Sequence, residues 1–169
     1  MKFYIKQKVF SFVDDFKIKN EAGQDVYTAR GKFITVGKKL NIYEGTNLNA
    51  QPVARIEQRL MSLTTRFGII IREQHVTDMA RKMSLFSNNY KLDGLPYQLK
   101  GNFLAREYSL TNGSNTLMRL SRKWFSWGDS YELDIANNQD HLLCLCIALA
   151  VDCCMCVRQS AALVAGAGT

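Results

Sequence analysis

The feature that most constrains this 169-residue chain is an apolar, cysteine-rich segment close to its C-terminus. Residues 137–159 have the sequence NNQDHLLCLCIALAVDCCMCVRQ, in which Leu142 to Val151 is apolar without a break. A helix that spans a bilayer needs about 20 consecutive apolar residues. This run is shorter, Asp152 ends it, and Arg158 follows. The segment therefore predicts a helix over about residues 140–157 that is apolar on nearly all sides and must be surrounded by the rest of the chain.

The chain before residue 137 has the pattern of short β-strands separated by turns. No stretch in it shows a sustained apolar period of 3.6 residues. Asn112-Gly113 is a typical hairpin turn, and Gly37 indicates another turn. We count about a dozen strands, treating 26–30 and 32–36 as separate ones. The pattern predicts an antiparallel β architecture.

The predicted helix and the predicted strands fit together in one architecture. A closed barrel of about twelve strands has an interior too wide for its own side chains to fill. A helix with its side chains is about 10–12 Å across and would fill that space. We therefore predict a mainly β fold, a closed antiparallel barrel of about twelve strands around a central hydrophobic C-terminal helix. Residues 1–159 would form this single domain, and residues 160–169 a flexible tail.

Charge and the N-terminal sequence narrow down the compartment and the kind of partner. The formal net charge of +7 favours an anionic partner, or serves only to keep the domain soluble. Residues 1–13 alternate between charged and apolar side chains, unlike a secretory signal, and we expect no transmembrane segment. We therefore expect a cytoplasmic protein that can associate peripherally with the membrane and whose five cysteines are reduced thiols.

Residue types that carry catalysis or bind metals occur without a recognisable pattern. The cysteine spacing lacks the close pairs typical of zinc sites, so we expect metal-free thiols in the core. The two histidines, His75 and His141, accompany no G-x-S-x-G nucleophile motif. Asp152 interrupts an apolar helix, and its burial would require a hydrogen bond or an ion pair; the alternative is a titrating functional group. We therefore predict that the protein is not an enzyme and needs no cofactor.

Basic residues provide the candidates for a binding site. In VARIEQRL (53–60) and RFGIIIR (66–72), arginines lie opposite an apolar face of a strand. A hairpin of these two stretches would place four arginines on the outer surface, with two lysines in a nearby turn. The candidate ligands of an anionic headgroup are Arg55, Arg59, Arg66, Arg72, Lys38 and Lys39. A basic and aromatic stretch, RKWFSW (122–127), would suit a membrane interface, base stacking or core packing.

Three separated motifs resemble those of one protein family. They are YIKQKVFSFVDDFKIKNEAGQDVYTARGKF (4–33), LSRKWFSWGDSYELDI (120–135) and DHLLCLCIALAVDCC (140–154). They look like the opening, a later motif and the closing helix of bacterial LURP-one-related proteins, which belong to the tubby C-terminal-like superfamily together with the phospholipid scramblases. The resemblance covers about residues 3 to 158. It implies a twelve-stranded barrel wrapped around a hydrophobic C-terminal helix.

The resemblance implies less about function than about fold. Tubby domains bind phosphorylated inositol lipids and tether to membranes, and plant relatives are linked to defence. The lysine and arginine motif of tubby domains does not map onto this sequence residue by residue, so no site residue is carried over. We expect a non-enzymatic binding or membrane-tethering module that recognises anionic lipid headgroups through a basic outer patch. The alternative is a regulatory protein that binds another protein or, less favoured, a nucleic acid.

Overall fold

The computed structural model describes residues 1–7, 15–34, 37–62, 64–81, 89–102, 107–125, 128–136 and 139–166. Within these ranges, twelve strands precede one helix. The elements are β1 (Lys2–Gln7), β2 (Asp15–Lys19), β3 (Asp25–Ile34), β4 (Gly37–Glu44), β5 (Ala54–Gln58), β6 (Arg66–Ile71), β7 (Gln74–Arg81), β8 (Tyr90–Leu92), β9 (Gln98–Asn102), β10 (Glu107–Asn112), β11 (Asn115–Phe125), β12 (Gly128–Ile135) and α1 (His141–Gly166). The predicted fold class is confirmed.

The strands form one closed antiparallel barrel in which neighbours in the chain are neighbours in the sheet. The sheet closes because β1 pairs with both β2 and β12, with Phe3 opposite Leu133 and Ile5 opposite Ile18. Each of the twelve described strands therefore has a partner on both sides, which protects its edges from pairing with another chain.

Because neighbouring strands are antiparallel, the connections alternate between the two ends of the barrel. Connections after even-numbered strands lie at the end where α1 begins, which we call the helix-start end. Connections after odd-numbered strands lie at the opposite end, which we call the far end. The contact of the Tyr27 hydroxyl, near the start of β3, with His141 Nε2 at 3.1 Å agrees with this assignment.

The helix α1 runs through the barrel with buried side chains all around it. Residues 142–155 are at most 9% exposed, and together with strand residues such as Phe16 and Phe67 they form one apolar core. Asp140 caps the helix, because its Oδ1 accepts hydrogen bonds from the backbone N–H groups of Leu142 and Leu143 at 3.0 Å each. The predicted central helix is confirmed.

Two elements are longer than predicted. The helix extends to Gly166, into the segment predicted to be a flexible tail, because SAALVAG (160–166) contains good helix formers and no proline. The two strands predicted within 26–36 form a single strand, β3. Its ladder continues through Gly31, which pairs with Leu40. The division into a domain of residues 1–159 and a tail otherwise stays a prediction.

Candidate anion-binding face

The hairpin predicted from the two arginine-containing stretches is formed by β5 and β6. Its register places Arg55 opposite Ile70. Ala54 and Ile56 point into the core at 2% and 1% exposure, and the alternating side-chain direction therefore turns Arg55 outward. The same alternation in β6 turns Arg66 outward. Both arginines therefore lie on the outer surface of the barrel, and their role as ligands of an anionic headgroup stays a prediction.

Arg59 reaches across β6 to a carboxylate on β7. Its guanidinium covers Gly68 so closely that a Cβ built on Gly68 would lie 2.6 Å from Nη2. Its Nε donates a hydrogen bond to Asp78 Oδ1 at 3.4 Å. The register explains this path, because Gly68 lies between Glu57 on β5 and Asp78 on β7. A residue with a side chain at position 68 would obstruct it.

Arg66 approaches the same carboxylate. Its Nη1 lies 3.9 Å from Asp78 Oδ2 and donates a hydrogen bond to Asp93 Oδ2 at 2.9 Å. His75 Nε2 lies 2.9 Å from Asp78 Oδ1. A hydrogen bond from Lys91, assisted by the charges of Lys91 and Arg66, holds the pKa of Asp93 below its usual value. Asp78 is thus shared by two arginines and a histidine.

Arg55 and Lys39 form a second cluster. Nη2 of Arg55 donates a hydrogen bond to Glu73 Oε2 at 2.6 Å, and its Nε lies 3.9 Å from Glu57 Oε1. Lys39 Nζ lies 2.7 Å from the same Oε1. The hydrogen bond from Lys39, followed by the charges of Lys39 and Arg55, lowers the pKa of Glu57. Both cations therefore have carboxylate partners.

Arg72 and Lys38 lie apart from these clusters. Arg72 follows the end of β6, where its φ is 48° and its N–H donates to Val53 O at 2.9 Å. Its exposed side chain is at the helix-start end, about 20 Å along the strand from the start of β6. Lys38 is 6% exposed, because it is on the inward-facing side of β4 with Leu40 and Ile42. Lys38 therefore lies off the outer surface that the other candidates occupy, and Arg72 lies at its helix-start edge, next to Glu73.

The outer surface from β4 to β8 therefore carries mixed charge. We call it the charged face and define it by nine residues joined in ion pairs: Lys39, Arg55, Glu57, Arg59, Arg66, Glu73, Asp78, Lys91 and Asp93. Five cations and four carboxylates leave this face with a net charge of +1. Four of the six candidate basic residues, Lys39, Arg55, Arg59 and Arg66, thus belong to two largely self-neutralised clusters of ion pairs.

Two features of this region have no signal in the sequence pattern. Leu60 and Met61, in the loop between β5 and β6, are 49% and 104% exposed. They border an open groove of about 820 Å³ together with Arg59, Arg66 and Asp78. Alternation along β5 predicts that Arg59 points outward, but Asp78 comes from β7, and only the strand register brings it to Arg59.

Asp152, the carboxylate within α1, is 7% exposed inside the barrel. The hydroxyl of Tyr131 on β12 donates a hydrogen bond to its Oδ1 at 3.2 Å. A cavity of about 10 Å³ beside Asp152 shows how tightly the core is filled around it. The carboxylate thus has the hydrogen bond that its burial predicts.

The described cysteines lie in the same core. Cys144, Cys146, Cys153 and Cys154 are buried free thiols. Burial raises the pKa of Cys144 to about 12 and raises that of Cys146 as well. Both thiols are therefore protonated at neutral pH, a form that is a poor nucleophile and a poor metal ligand. Within the described ranges, no three His, Cys, Asp or Glu side chains are placed to hold a metal ion; that the thiols carry no metal stays a prediction.

Two other predictions concern membranes. Over the part of the chain that the structure describes, no helix combines the length and the apolar character needed to cross a bilayer. The side chains of residues 123–127 lie outside the described part. The interfacial role of the basic and aromatic stretch therefore stays a prediction.

The sequence of this chain is similar to a known protein family and to a bacterial protein. A family model described as LURP-one-related matches residues 1–152, which include the whole barrel and the first part of α1. The chain is also similar to the "Uncharacterized protein YxjI" of Bacillus subtilis (strain 168), with 36% identity over 149 residues. That alignment covers 88% of this chain and 90% of the relative.

Proposed function

The chain belongs to the LURP-one-related family, and from this premise we propose that it is a non-enzymatic module that attaches to membranes bearing anionic phospholipid headgroups. The resemblance of the family to tubby domains, which bind phosphorylated inositol lipids, supports this class of ligand. The overall charge of +7 favours the approach of the protein to an anionic surface.

The observation that carries the proposal is the pair formed by Arg59 and Arg66. Their side chains are 41% and 35% exposed and share Asp78 at the edge of an open groove. Exposed ion pairs of this kind contribute only about 0–1 kcal/mol. A phosphate group can therefore replace a carboxylate as a partner at small cost, and guanidinium groups bind phosphate oxygens in a bidentate manner.

The attachment is weak and sensitive to salt. A basic residue close to an anionic bilayer contributes about 1 kcal/mol, and Asp78 and Asp93 oppose part of that attraction. Exposed charges are also screened over about 8 Å at physiological ionic strength. The module would therefore bind reversibly from the cytoplasm and increase its residence where anionic lipid is dense.

The two histidines support a non-enzymatic role. His75 Nε2 lies 2.9 Å from Asp78 Oδ1, and His141 Nε2 lies 3.1 Å from the Tyr27 hydroxyl. The first contact lies within β7 and the second joins the helix to the barrel, which fits a structural role for both histidines.

The proposal is tested by reversing the charge of Arg59 and Arg66 together. We expect the double variant Arg59→Glu/Arg66→Glu to bind vesicles of phosphatidylcholine with phosphatidylserine and a phosphoinositide at least about tenfold more weakly than the wild type. The matched control is Lys17→Glu/Lys19→Glu on β2, which makes the same change in net charge. Those lysines pair with Asp25 outside the charged face, so the control is expected to lose less affinity.

Duplex DNA at the same ionic strength distinguishes the alternative function. The comparison is needed because the attraction of a basic surface to phosphate is not specific to lipid. Tighter binding to DNA than to the vesicles would favour a nucleic-acid partner. If the wild-type protein does not bind anionic vesicles even at low salt, the tethering function is wrong.

A further inference from the structure

We propose that the β5–β6 loop inserts Leu60 and Met61 into the interfacial region of an anionic bilayer. The loop comprises residues 59–65, of which position 63 lies outside the described part of the chain. Among the described residues, the large apolar side chains that are exposed are those of Met1, Leu60 and Met61. Two of these three are adjacent in one loop, at 49% and 104% exposure.

The structure leaves this apolar pair largely exposed in a closed loop. The backbone N–H of Arg59 donates to the carbonyl oxygen of Arg66 at 2.9 Å, which closes the base of the loop. The side chain of Leu60 lies over Gly37 at the start of β4, where an added Cβ would be 3.1 Å from Leu60 Cδ2. Leu60 is thus supported from one side, while Met61 is fully exposed to solvent.

The charges beside the loop favour a bilayer as the occupant. Arg59 and Arg66 flank the base of the loop, so the apolar pair is bordered by two guanidinium groups. This arrangement matches the order of a bilayer interface, in which apolar chains lie beneath anionic headgroups. A stable protein interface buries about 800 Å² on each partner, far more than two side chains at a loop tip supply.

The location of the loop also sets the orientation of the protein. The connection follows an odd-numbered strand and therefore lies at the far end of the barrel, away from the start of α1. The inference rests on the proposed function, because Arg59 and Arg66 bring the loop to the membrane. It adds an apolar contribution that salt does not screen.

Replacing both apolar side chains separates insertion from electrostatic attraction. At about 150 mM salt, we expect Leu60→Ser/Met61→Ser to bind the anionic vesicles about tenfold more weakly than the wild type. At low salt, where the arginines dominate, the loss should be smaller. Leu48→Ser is the matched control, since Leu48 is a partly buried apolar residue in the β4–β5 loop at the helix-start end.

Fluorescence reports insertion directly. Subtracting the wild-type emission of Trp124 and Trp127 from the emission of Met61→Trp leaves the fluorescence of the introduced indole. On addition of vesicles, this fluorescence should shift to shorter wavelength, and brominated lipid should quench it. Ser114→Trp, in the exposed β10–β11 turn at the helix-start end, should show neither change.

The outcomes distinguish the two proposals. Wild-type affinity in Leu60→Ser/Met61→Ser at both salt concentrations, with an unchanged spectrum in Met61→Trp, overturns insertion but leaves tethering by arginines intact. A dimer that dissociates in the serine variant would assign the loop to self-association and also overturn insertion. Failure of the wild type to bind anionic vesicles overturns both proposals.

Discussion

At the scale of single residues, Gly68 shows how a missing side chain positions a charge. The guanidinium of Arg59 occupies the outer surface of β6 where a Cβ would otherwise lie, and from there it reaches Asp78. Gly101 leaves space for a different neighbour, the ring of Tyr108, which is 3% exposed. The hydroxyl of that ring donates to Met155 Sδ on α1 at 3.5 Å. Gly68 therefore leaves space for an ion pair on the surface, and Gly101 leaves space for a side chain of the core.

These environments predict different costs for the same substitution. We expect Gly68→Ala to change the free energy of unfolding by less than about 1 kcal/mol, because the end of an exposed arginine can move away. Gly101→Ala should lower it by about 1–3 kcal/mol, since the added methyl overlaps a buried ring. Urea denaturation of both variants gives the comparison. A larger loss in Gly68→Ala than in Gly101→Ala would show that the ion pairs of Arg59 matter more to stability than their exposure implies.

At the scale of elements, α1 is stable only inside the barrel. Its residues 142–155 have no exposed face, so the usual division of a helix into a polar and an apolar side is absent. The polar atoms that remain are satisfied locally: Asp140 accepts the first N–H groups, and Tyr131 donates to Asp152. The helix and the strands therefore depend on each other for burial.

The more polar the side chain that a substitution introduces into α1, the larger the expected loss of stability. Leu145 and Ile147 are 0% exposed, so Leu145→Asp or Ile147→Asp buries an unpaired charge and should abolish soluble expression. Leu145→Ala leaves a cavity and should lower the free energy of unfolding by about 2–5 kcal/mol. Leu60→Asp, at a 49% exposed position, is the control that should fold normally. Soluble, cooperatively folded protein from both aspartate variants in α1 would contradict the enclosed helix.

At the scale of the whole molecule, stability depends on closure of the barrel between β1 and β12. Five residue pairs join these strands, from Lys2 opposite Asp134 to Lys6 opposite Ser130. Phe3 and Ile5 also contribute to the core, at 4% and 2% exposure. The first strand therefore completes the sheet and the core at the same time.

Deletion of residues 1–7 should leave two unpaired strand edges and expose the core. We expect this variant to aggregate, because free edges pair with other chains. Size-exclusion chromatography of the soluble fraction measures the effect. Insertion of Gly-Ser after Ser114, in an exposed turn, leaves the strand pairings in place and should give a soluble protein that elutes like the wild type. A deletion variant that elutes and unfolds like the wild type would show that closure is dispensable.

The sequence by itself determined the fold class and the place of the helix. A helix that is apolar all around has no stable position in water, and a chain of short strands with no second helix has to supply its surroundings. Alternation also determined that Ala54 and Ile56 face the core and Arg55 faces outward, because side chains in a strand alternate with a period of two. These conclusions depend only on local geometry and on the cost of exposing apolar surface.

The tertiary structure alone decided which charges meet. Asp78 is 19 residues from Arg59, and Asp93 is 27 residues from Arg66, so only the register of neighbouring strands brings them together. The lengths of the strands decided which side chains follow the alternating pattern. Arg72 and Leu60 lie beyond the ends of β6 and β5, in a turn and a bend where the chain is no longer extended, as the φ of 48° at Arg72 shows. The period of two therefore does not set the direction of their side chains.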